Sequence, residues 1–243
     1  MKQYHTQTQK GDVGRYVLMP GDPGRVPLIA AKLENAVHVA TNREYVTYTG
    51  WLEGEKVSVT STGIGCPSSA IAVEELYRSG ADTFIRVGTS GSLQPGTKSN
   101  DLAVVTGAIR HEGTTSHYMP IEFPAVCDLE IVQAMRSAVE RLGVRYQLGI
   151  SHSKDSFYGE VEPDKSANSE QLKDLWRAWQ IGGAICSEME ISTICIVSII
   201  LGARAGGIMA MHGEGEFGPL DGLIIAAVES VRELIKSDKT RAA

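Results

Sequence analysis

Arginines stand close to glycine turns at two places in the sequence. Arg25 follows Gly21 in the stretch L-M-P-G-D-P-G-R-V, and Arg86 precedes Gly88 by two residues. Glycine lets a backbone N–H approach an oxygen closely, and a guanidinium adds a fork of charged donors. Together with Arg43 in T-N-R-E-Y, these residues could bind an oxyanion.

Each of these signals also has an ordinary explanation. A single arginine is more often one half of a surface ion pair, and a single glycine usually marks a turn. The glycines match neither the dinucleotide fingerprint G-x-G-x-x-G nor the G-K-[ST] of the Walker loop. Anion binding therefore requires a fold that brings the arginines to one crevice.

Strand-like runs alternate with helical runs along most of the chain, which predicts an α/β fold with a largely parallel sheet covered on both faces. The predicted strands are 16–19, 56–62, 83–87, 102–106, 146–151 and 204–211, and the predicted helices are 67–77, 131–142, 171–179 and 220–235. Ligands of such sheets bind beyond the carboxyl ends of the strands. The glycine turns at 20–24, 63–65 and 88–91 fall at those ends, so we expect them to converge.

Composition restricts the functional class. The 243 residues show no break in composition, which favours a single domain over 1–243. A net charge of −6 without a basic tract argues against nucleic acid as a partner, and the most apolar stretch, 191–201, is too short to cross a membrane. The absence of a signal-peptide pattern and four scattered cysteines without a C-x-x-C pair predict a cytoplasmic protein with reduced thiols.

Seven motifs, in this order between about His5 and Arg204, resemble those of the nucleoside phosphorylases, the group of uridine phosphorylases and hexameric purine nucleoside phosphorylases. They are M-P-G-D-P-G-R-V, N-R-E-Y, S-T-G-I-G-C-P-S-S, I-R-V-G-T-S-G, E-F-P-A-V, D-S-F-Y-G and S-E-M-E. R-V-G-T and E-F-P-A-V are more similar to the uridine enzymes. The resemblance implies a single α/β domain with a twisted mixed central sheet flanked by helices, and a cytoplasmic hexamer built from dimers.

The resemblance also implies the reaction, in which a nucleoside and phosphate give free base and ribose 1-phosphate without a cofactor. It assigns phosphate binding to Gly21, Arg25, Arg86 and Thr89, with Arg43 donated by a neighbouring subunit. It assigns the nucleoside to Glu190 and the backbone of Met189 at the ribose hydroxyls, Phe157 at the base, and His5 and Tyr4 from the partner subunit.

These residue types suit phosphorolysis of an N-glycosidic bond. The sugar becomes cationic in the transition state, so arginines that orient the phosphate and a carboxylate beneath the sugar both favour it. Arg86 and Glu190 are therefore the expected catalytic residues, and no metal is required. Glu188 is either a supporting carboxylate or a helix cap. Glu44, Ile64 and Ser68 match positions where some uridine phosphorylases hold a monovalent cation such as K⁺, although a buried Glu–Arg pair gives the same pattern.

Two departures from the family pattern concern the base. Glu160 stands where the uridine enzymes have a glutamine that reads uracil, and no arginine follows it. A carboxylate accepts hydrogen bonds only, which suits an N–H-rich edge such as that of guanine, unless Glu160 lies in a surface loop. The purine enzymes' late aspartate, which acts as a general acid, is also missing from the shortened segment at 212–218, where His212 or Glu214 could replace it.

Uridine is the leading substrate on resemblance, with a purine nucleoside as the alternative. A nucleosidase, in which water replaces phosphate, is disfavoured by the arginines. A nucleoside-binding homologue with little or no turnover remains open, because both departures lie at the base end of the site.

Overall fold

A computed structural model describes residues 1–242, which contain ten strands and seven α-helices. The strands are β1 (Tyr16–Met19), β2 (Glu34–Asn42), β3 (Tyr45–Leu52), β4 (Glu55–Thr60), β5 (Thr83–Ser92), β6 (Leu102–His111), β7 (Ala125–Val126), β8 (Tyr146–Lys154), β9 (Cys186–Glu188) and β10 (Arg204–His212). The helices are α1 (Val26–Ala30), α2 (Cys66–Ser79), α3 (Leu129–Leu142), α4 (Phe157–Val161), α5 (Ser169–Ile181), α6 (Ile191–Leu201) and α7 (Asp221–Ala242).

All ten strands belong to one mixed sheet, which confirms the predicted α/β class. The strand order is β10-β6-β8-β9-β5-β1-β4-β3-β2, with β7 paired to β6. Because β10 also pairs with β5, strands β5, β10, β6, β8 and β9 close into a ring. The pairs β1–β4, β1–β5, β5–β10, β6–β8 and β8–β9 are parallel, whereas β2, β3 and β4 form an antiparallel meander.

The sequence pattern explains which elements lie inside. β1 reads Y-V-L-M and is buried at every position, as a central parallel strand must be. Helix α6 reads I-S-T-I-C-I-V-S-I-I-L and is buried over its first eight residues, where it packs against α2. Helices α3 and α7 also pack against each other. None of the helices within residues 1–242 combines the length and apolar character needed to cross a membrane.

The glycine segment at 88–91 differs from the prediction. It is not a turn after a strand that ends at Val87, since β5 continues to Ser92. Strand β10 pairs with β5 in parallel as far as Gly91, and β9 pairs with Gly91 and Ser92 from the other side. Ladders on both sides satisfy the backbone, so this glycine-rich segment remains extended. The turns at 20–24 and 63–65 do follow β1 and β4, as expected.

Candidate active site

A cleft of 870 Å³ lies where the segments after β1 and β4, the second half of β5 and the segment around β9 meet. It brings together most of the residues that the sequence predicts for the site. Those lining it are Gly21, Arg25, Glu44, Ile64, Arg86, Thr89, Phe157, Glu160, Met189 and Glu190. The convergence expected of the glycine segments is therefore confirmed.

Arg86 forms the floor of the cleft. Its side chain is 5% exposed, and it makes ion pairs with Glu188, at 2.9 Å from Nε to Oε2, and with Glu190. Burial opposes its charge, but the two carboxylates outweigh burial and raise the pKa of the guanidinium. Within the described residues, Nη1 has no hydrogen-bond partner, and a Cβ on Gly21 would lie 3.8 Å from it. A buried charged donor without a partner calls for an explanation such as a bound ion or water, and an anion beside Gly21 would supply the missing acceptor.

Gly88 explains how the Arg86 side chain fits. A Cβ placed on Gly88 would lie 2.9 Å from both Cζ and Nη2 of Arg86, closer than side chains tolerate. The guanidinium therefore lies across the bare backbone two residues further along β5. The R-V-G pattern is a packing requirement of the arginine as well as a sequence motif.

Arg25 faces the same space from the turn after β1. Asp22 caps this turn by accepting a hydrogen bond of 2.8 Å from the Gly24 N–H, and its Oδ2 lies 3.7 Å from Nε of Arg25. Burial lowers the pKa of Arg25, Asp22 opposes that effect, and the positive charge of Arg86 lowers the pKa further. Two guanidinium groups that repel each other in a cleft gain stability when an anion binds between them.

Glu190 lies beside Arg86 and is buried. Its Oε1 accepts a hydrogen bond of 2.7 Å from the Gly65 N–H at the start of α2. Burial raises the pKa of Glu190, and Arg86 lowers it while Glu188 raises it further. The carboxylate is thus held in a fixed position where it could accept hydrogen bonds from a ligand in the cleft.

Glu188 caps a helix, which is one of the two roles that the sequence predicts for it. Its Oε2 accepts hydrogen bonds of 2.8 Å from the N–H groups of Glu190 and Ile191 at the start of α6, and its Oε1 accepts one of 2.5 Å from Ser153. The same carboxylate pairs with Arg86. It therefore fixes both the helix start and the guanidinium.

The other end of the cleft contains Glu160 and Phe157. Glu160 is not in a surface loop: its side chain is 12% exposed, and its Oε2 lies 2.8 Å from Nζ of Lys154. Ser187 also donates a hydrogen bond of 2.5 Å to this oxygen. Phe157 begins α4 and lines the cleft with a half-exposed ring. Sequence reasoning missed Lys154, although K-D-S-F-Y places it three residues before Phe157 at the end of a strand.

Three of the residues predicted to bind phosphate or nucleoside do not line the cleft of their own chain. Tyr4 is exposed, and His5 is held by Glu75, whose Oε1 lies 2.7 Å from Nδ1 of its ring. Arg43 occupies the two-residue turn between β2 and β3 with φ 53°, and the neighbouring Glu44 lines the cleft while Arg43 does not. Asn42 donates a hydrogen bond of 2.7 Å to the backbone oxygen of His5, so these residues form one surface.

Two of the three residues predicted to hold a cation, Glu44 and Ser68, contact each other in the structure. Ser68 donates a hydrogen bond of 3.0 Å to Oε1 of Glu44, and Ile64 exposes most of its surface. No group of three or more His, Cys, Asp or Glu side chains suited to a metal occurs within residues 1–242. A monovalent ion held by hydroxyl and backbone oxygens would need no such group.

Of the two candidates for a general acid, only His212 lies in the cleft. Its ring stacks on Phe217 with centroids 3.6 Å apart, and burial together with Arg25 lowers its pKa. Glu214 is exposed and pairs with Lys98 instead. His111 and His152 line a second cavity of 610 Å³ behind Lys154 and Glu160, next to Trp179.

Comparison with known proteins agrees with this geometry. A model of the phosphorylase superfamily matches residues 15–236. The uridine phosphorylase of Treponema pallidum is 41% identical over 98% of this chain and 96% of its own length, and that of Thermococcus kodakarensis is 43% identical over 98% and 89%. The guanosine phosphorylase of Halorubrum lacusprofundi is 39% identical over 87% of this chain and 83% of its own length.

Proposed function

This chain belongs to the phosphorylase superfamily, and on that basis we propose that it is a nucleoside phosphorylase, a pentosyltransferase that converts a nucleoside and phosphate to free base and ribose 1-phosphate. Uridine is the proposed substrate, because similar proteins named uridine phosphorylase cover almost the whole chain. We also propose that the enzyme acts in the cytoplasm and needs no cofactor besides its co-substrate phosphate.

The observation that carries this proposal is Nη1 of buried Arg86, which has no hydrogen-bond partner among residues 1–242, lies next to Gly21 and shares the cleft with Arg25. A hydrolase that used water would gain nothing from two desolvated guanidinium groups that repel each other. Phosphate would offset this repulsion and would take up the free donor of Arg86. Phosphorolysis therefore fits the site better than hydrolysis.

The arrangement of these side chains fits a displacement at C1′ of the sugar. Phosphate held by Arg25 and Arg86 presents an oxygen to C1′, the bond from C1′ to the base nitrogen breaks, and the base takes the electron pair. The sugar carries positive charge between these events, and the fixed carboxylate of Glu190 favours that charge while accepting hydrogen bonds from the ribose hydroxyls. The backbone of Met189 and the side chain of Thr89 border the same space.

A second copy of the chain would complete the site. His5, Tyr4 and Arg43 share one surface outside their own cleft, and the neighbouring Glu44 lies inside it. We propose that two subunits exchange these residues, Arg43 at the phosphate and His5 at the 5′-hydroxyl, with three such dimers in a hexamer. We also propose that K⁺ binds at this interface, held by Glu44, Ile64 and Ser68.

A guanosine phosphorylase is also similar to the chain, so purine nucleosides are the second candidate class. The test is release of base from uridine, cytidine, inosine, guanosine and adenosine, each with and without phosphate. We expect release only with phosphate and fastest from uridine. Release that is independent of phosphate would indicate a nucleosidase, and binding without release would indicate a nucleoside-binding homologue.

A further inference from the structure

Lys154 is a buried lysine at the base end of the cleft, where neither phosphate nor ribose binding requires it. It is the last residue of β8 and is 6% exposed. Its Nζ lies 2.8 Å from Oε2 of Glu160 and donates a hydrogen bond of 2.7 Å to Oγ of Ser187. Burial of an ammonium group is costly, and a buried lysine and glutamate in a ligand cleft therefore call for an explanation.

Both partners have unused hydrogen-bonding capacity. An ammonium group has three N–H donors, and Lys154 uses two of them on Glu160 and Ser187. Oε2 of Glu160 pairs with Lys154 and accepts a hydrogen bond from Ser187, whereas Oε1 accepts from no donor within residues 1–242. Oε1 points toward bare backbone, since a Cβ on Gly91 would lie 3.4 Å from it. The pair thus offers the cleft one charged acceptor next to one charged donor.

We infer that Lys154 and Glu160 together recognise the base, with Oε1 of Glu160 accepting from a ring N–H and Lys154 donating to the adjacent carbonyl oxygen. This inference rests on the proposed nucleoside phosphorylase function. The ligand class is a base with a lactam edge, an N–H beside a C=O, as in uracil, hypoxanthine and guanine. Cytosine and adenine present the reverse order, an unprotonated nitrogen beside an amino group, and would oppose both partners.

Lys154 also explains how a carboxylate can stand where a glutamine is expected. Alone, the carboxylate of Glu160 would attract the ring N–H and repel the neighbouring carbonyl oxygen. Lys154 supplies the missing donor, and its positive charge favours the negative charge that the base gains as it leaves. The neighbouring His152 adds no charge at neutral pH, because burial, His111 and Lys154 lower its pKa to about 3.

The test compares kcat/KM for uridine with that for 3-methyluridine, which keeps both carbonyl groups and lacks the N–H. The wild type should prefer uridine by about 100-fold or more, because the methylated base leaves Glu160 unpaired. Glu160→Ala should reduce this preference at least tenfold (about 1.4 kcal/mol). Lys154→Met should lower kcat/KM for uridine about 10- to 100-fold while the KM for phosphate stays within about twofold.

Two controls separate recognition from folding. Lys165→Met removes a lysine that pairs with Glu162 on the surface. It should change neither the preference for uridine over 3-methyluridine nor the kcat/KM for uridine. Lys154→Arg retains a charged donor and should recover part of the uridine activity. If Lys154→Met does not fold, the uridine preference of Glu160→Ala decides the question. The pair 1-methylguanosine and guanosine gives the same comparison if the wild type prefers guanosine.

The outcomes distinguish this inference from the function on which it rests. A wild type that releases base from no nucleoside would overturn the proposed function. An active wild type whose preference for uridine over 3-methyluridine survives in Glu160→Ala, or whose kcat/KM for uridine survives in Lys154→Met, would overturn the pair as the base reader and leave phosphorolysis intact.

Discussion

At the phosphate end of the cleft, Arg25 and Arg86 place two guanidinium groups near the turn at Gly21. Burial lowers the pKa of Arg25, and repulsion from Arg86 lowers it further. Binding of an anion would relieve that repulsion. Arg86 has the additional feature of a buried donor without a partner in the described chain. Phosphate affinity should therefore depend on both residues, and on Arg86 most.

Arg86→Ala and Arg25→Ala should each raise the KM for phosphate far more than the KM for the nucleoside. Each lost charge-assisted contact should cost roughly 1.5–3 kcal/mol. The matched control is Arg15→Ala, which removes an exposed arginine that pairs with Asp82. Steady-state kinetics with both substrates varied provide the measurement, and wild-type phosphate dependence in both variants would refute the anion site.

Gly88→Ala tests the fit of Arg86 without removing its charge. The new methyl group would meet the guanidinium at 2.9 Å and displace it, so kcat/KM should fall by about tenfold or more. Gly222→Ala is the control, because a Cβ at that position of α7 meets nothing within 4 Å. Thermal melting checks that both variants fold. A Gly88→Ala enzyme with full activity would show that Arg86 tolerates another position.

At the level of elements, α2 anchors the N-terminal segment through Glu75. The carboxylate accepts hydrogen bonds from the N–H groups of His5 and Thr6 and from the Thr6 hydroxyl, at 2.7–3.1 Å, and pairs with the ring of His5. Burial alone would raise the pKa of Glu75, but these donors outweigh it and lower the pKa. One buried side chain thus makes several of the contacts that hold the segment carrying His5.

Glu75→Ala should lower the free energy of unfolding by about 1–3 kcal/mol, because it leaves these donors unpaired. Since the pKa of Glu75 is lower in the folded state, its contribution is present above the ordinary glutamate pKa. It is lost as the pH falls through the folded-state value. Urea unfolding at a series of pH values should show the difference between wild type and Glu75→Ala shrinking in acid. A difference that grew in acid would contradict this assignment.

Sequence patterns predicted six of the ten strands and four of the seven α-helices that the described residues form, and missed what closes the sheet. Runs such as 16–19 and 131–142 have the strand and helix periodicities of β1 and α3, and the predicted elements match the observed order. The extension of β5 through 88–91 depends on pairing with β9 and β10, which are far away in the sequence. The local glycine content therefore predicted a turn where the chain forms a strand. Lys154 was missed for the same reason, since its contacts with Glu160 and Ser187 exist only in the fold.

At the level of the whole molecule, His5 and Arg43 lie outside the cleft that they are proposed to serve, and Asn42 next to Arg43 donates a hydrogen bond to the backbone of His5. If two subunits exchange these residues as proposed, the site is incomplete in a single chain. Activity should therefore require association, and a residue lost from one subunit should be supplied by another.

Mixing Arg43→Ala with Glu190→Ala should restore part of the activity once subunits exchange. Each mixed dimer then contains one site that has both an intact Arg43 and an intact Glu190. The rate of base release is followed over time after mixing, with each variant alone as the control. A fully active monomer in analytical ultracentrifugation, or no recovery despite demonstrated exchange, would contradict donation between subunits.

Phosphorolysis itself is tested most directly by the fate of the sugar. Purified enzyme is given uridine and inorganic phosphate, and the products are followed by ³¹P NMR alongside uracil release. The structure of the cleft around Arg86, Arg25 and Glu190 predicts one ribose 1-phosphate for each uracil, and none of either product without phosphate. Uracil release accompanied by free ribose, at a rate unaffected by phosphate, would contradict it.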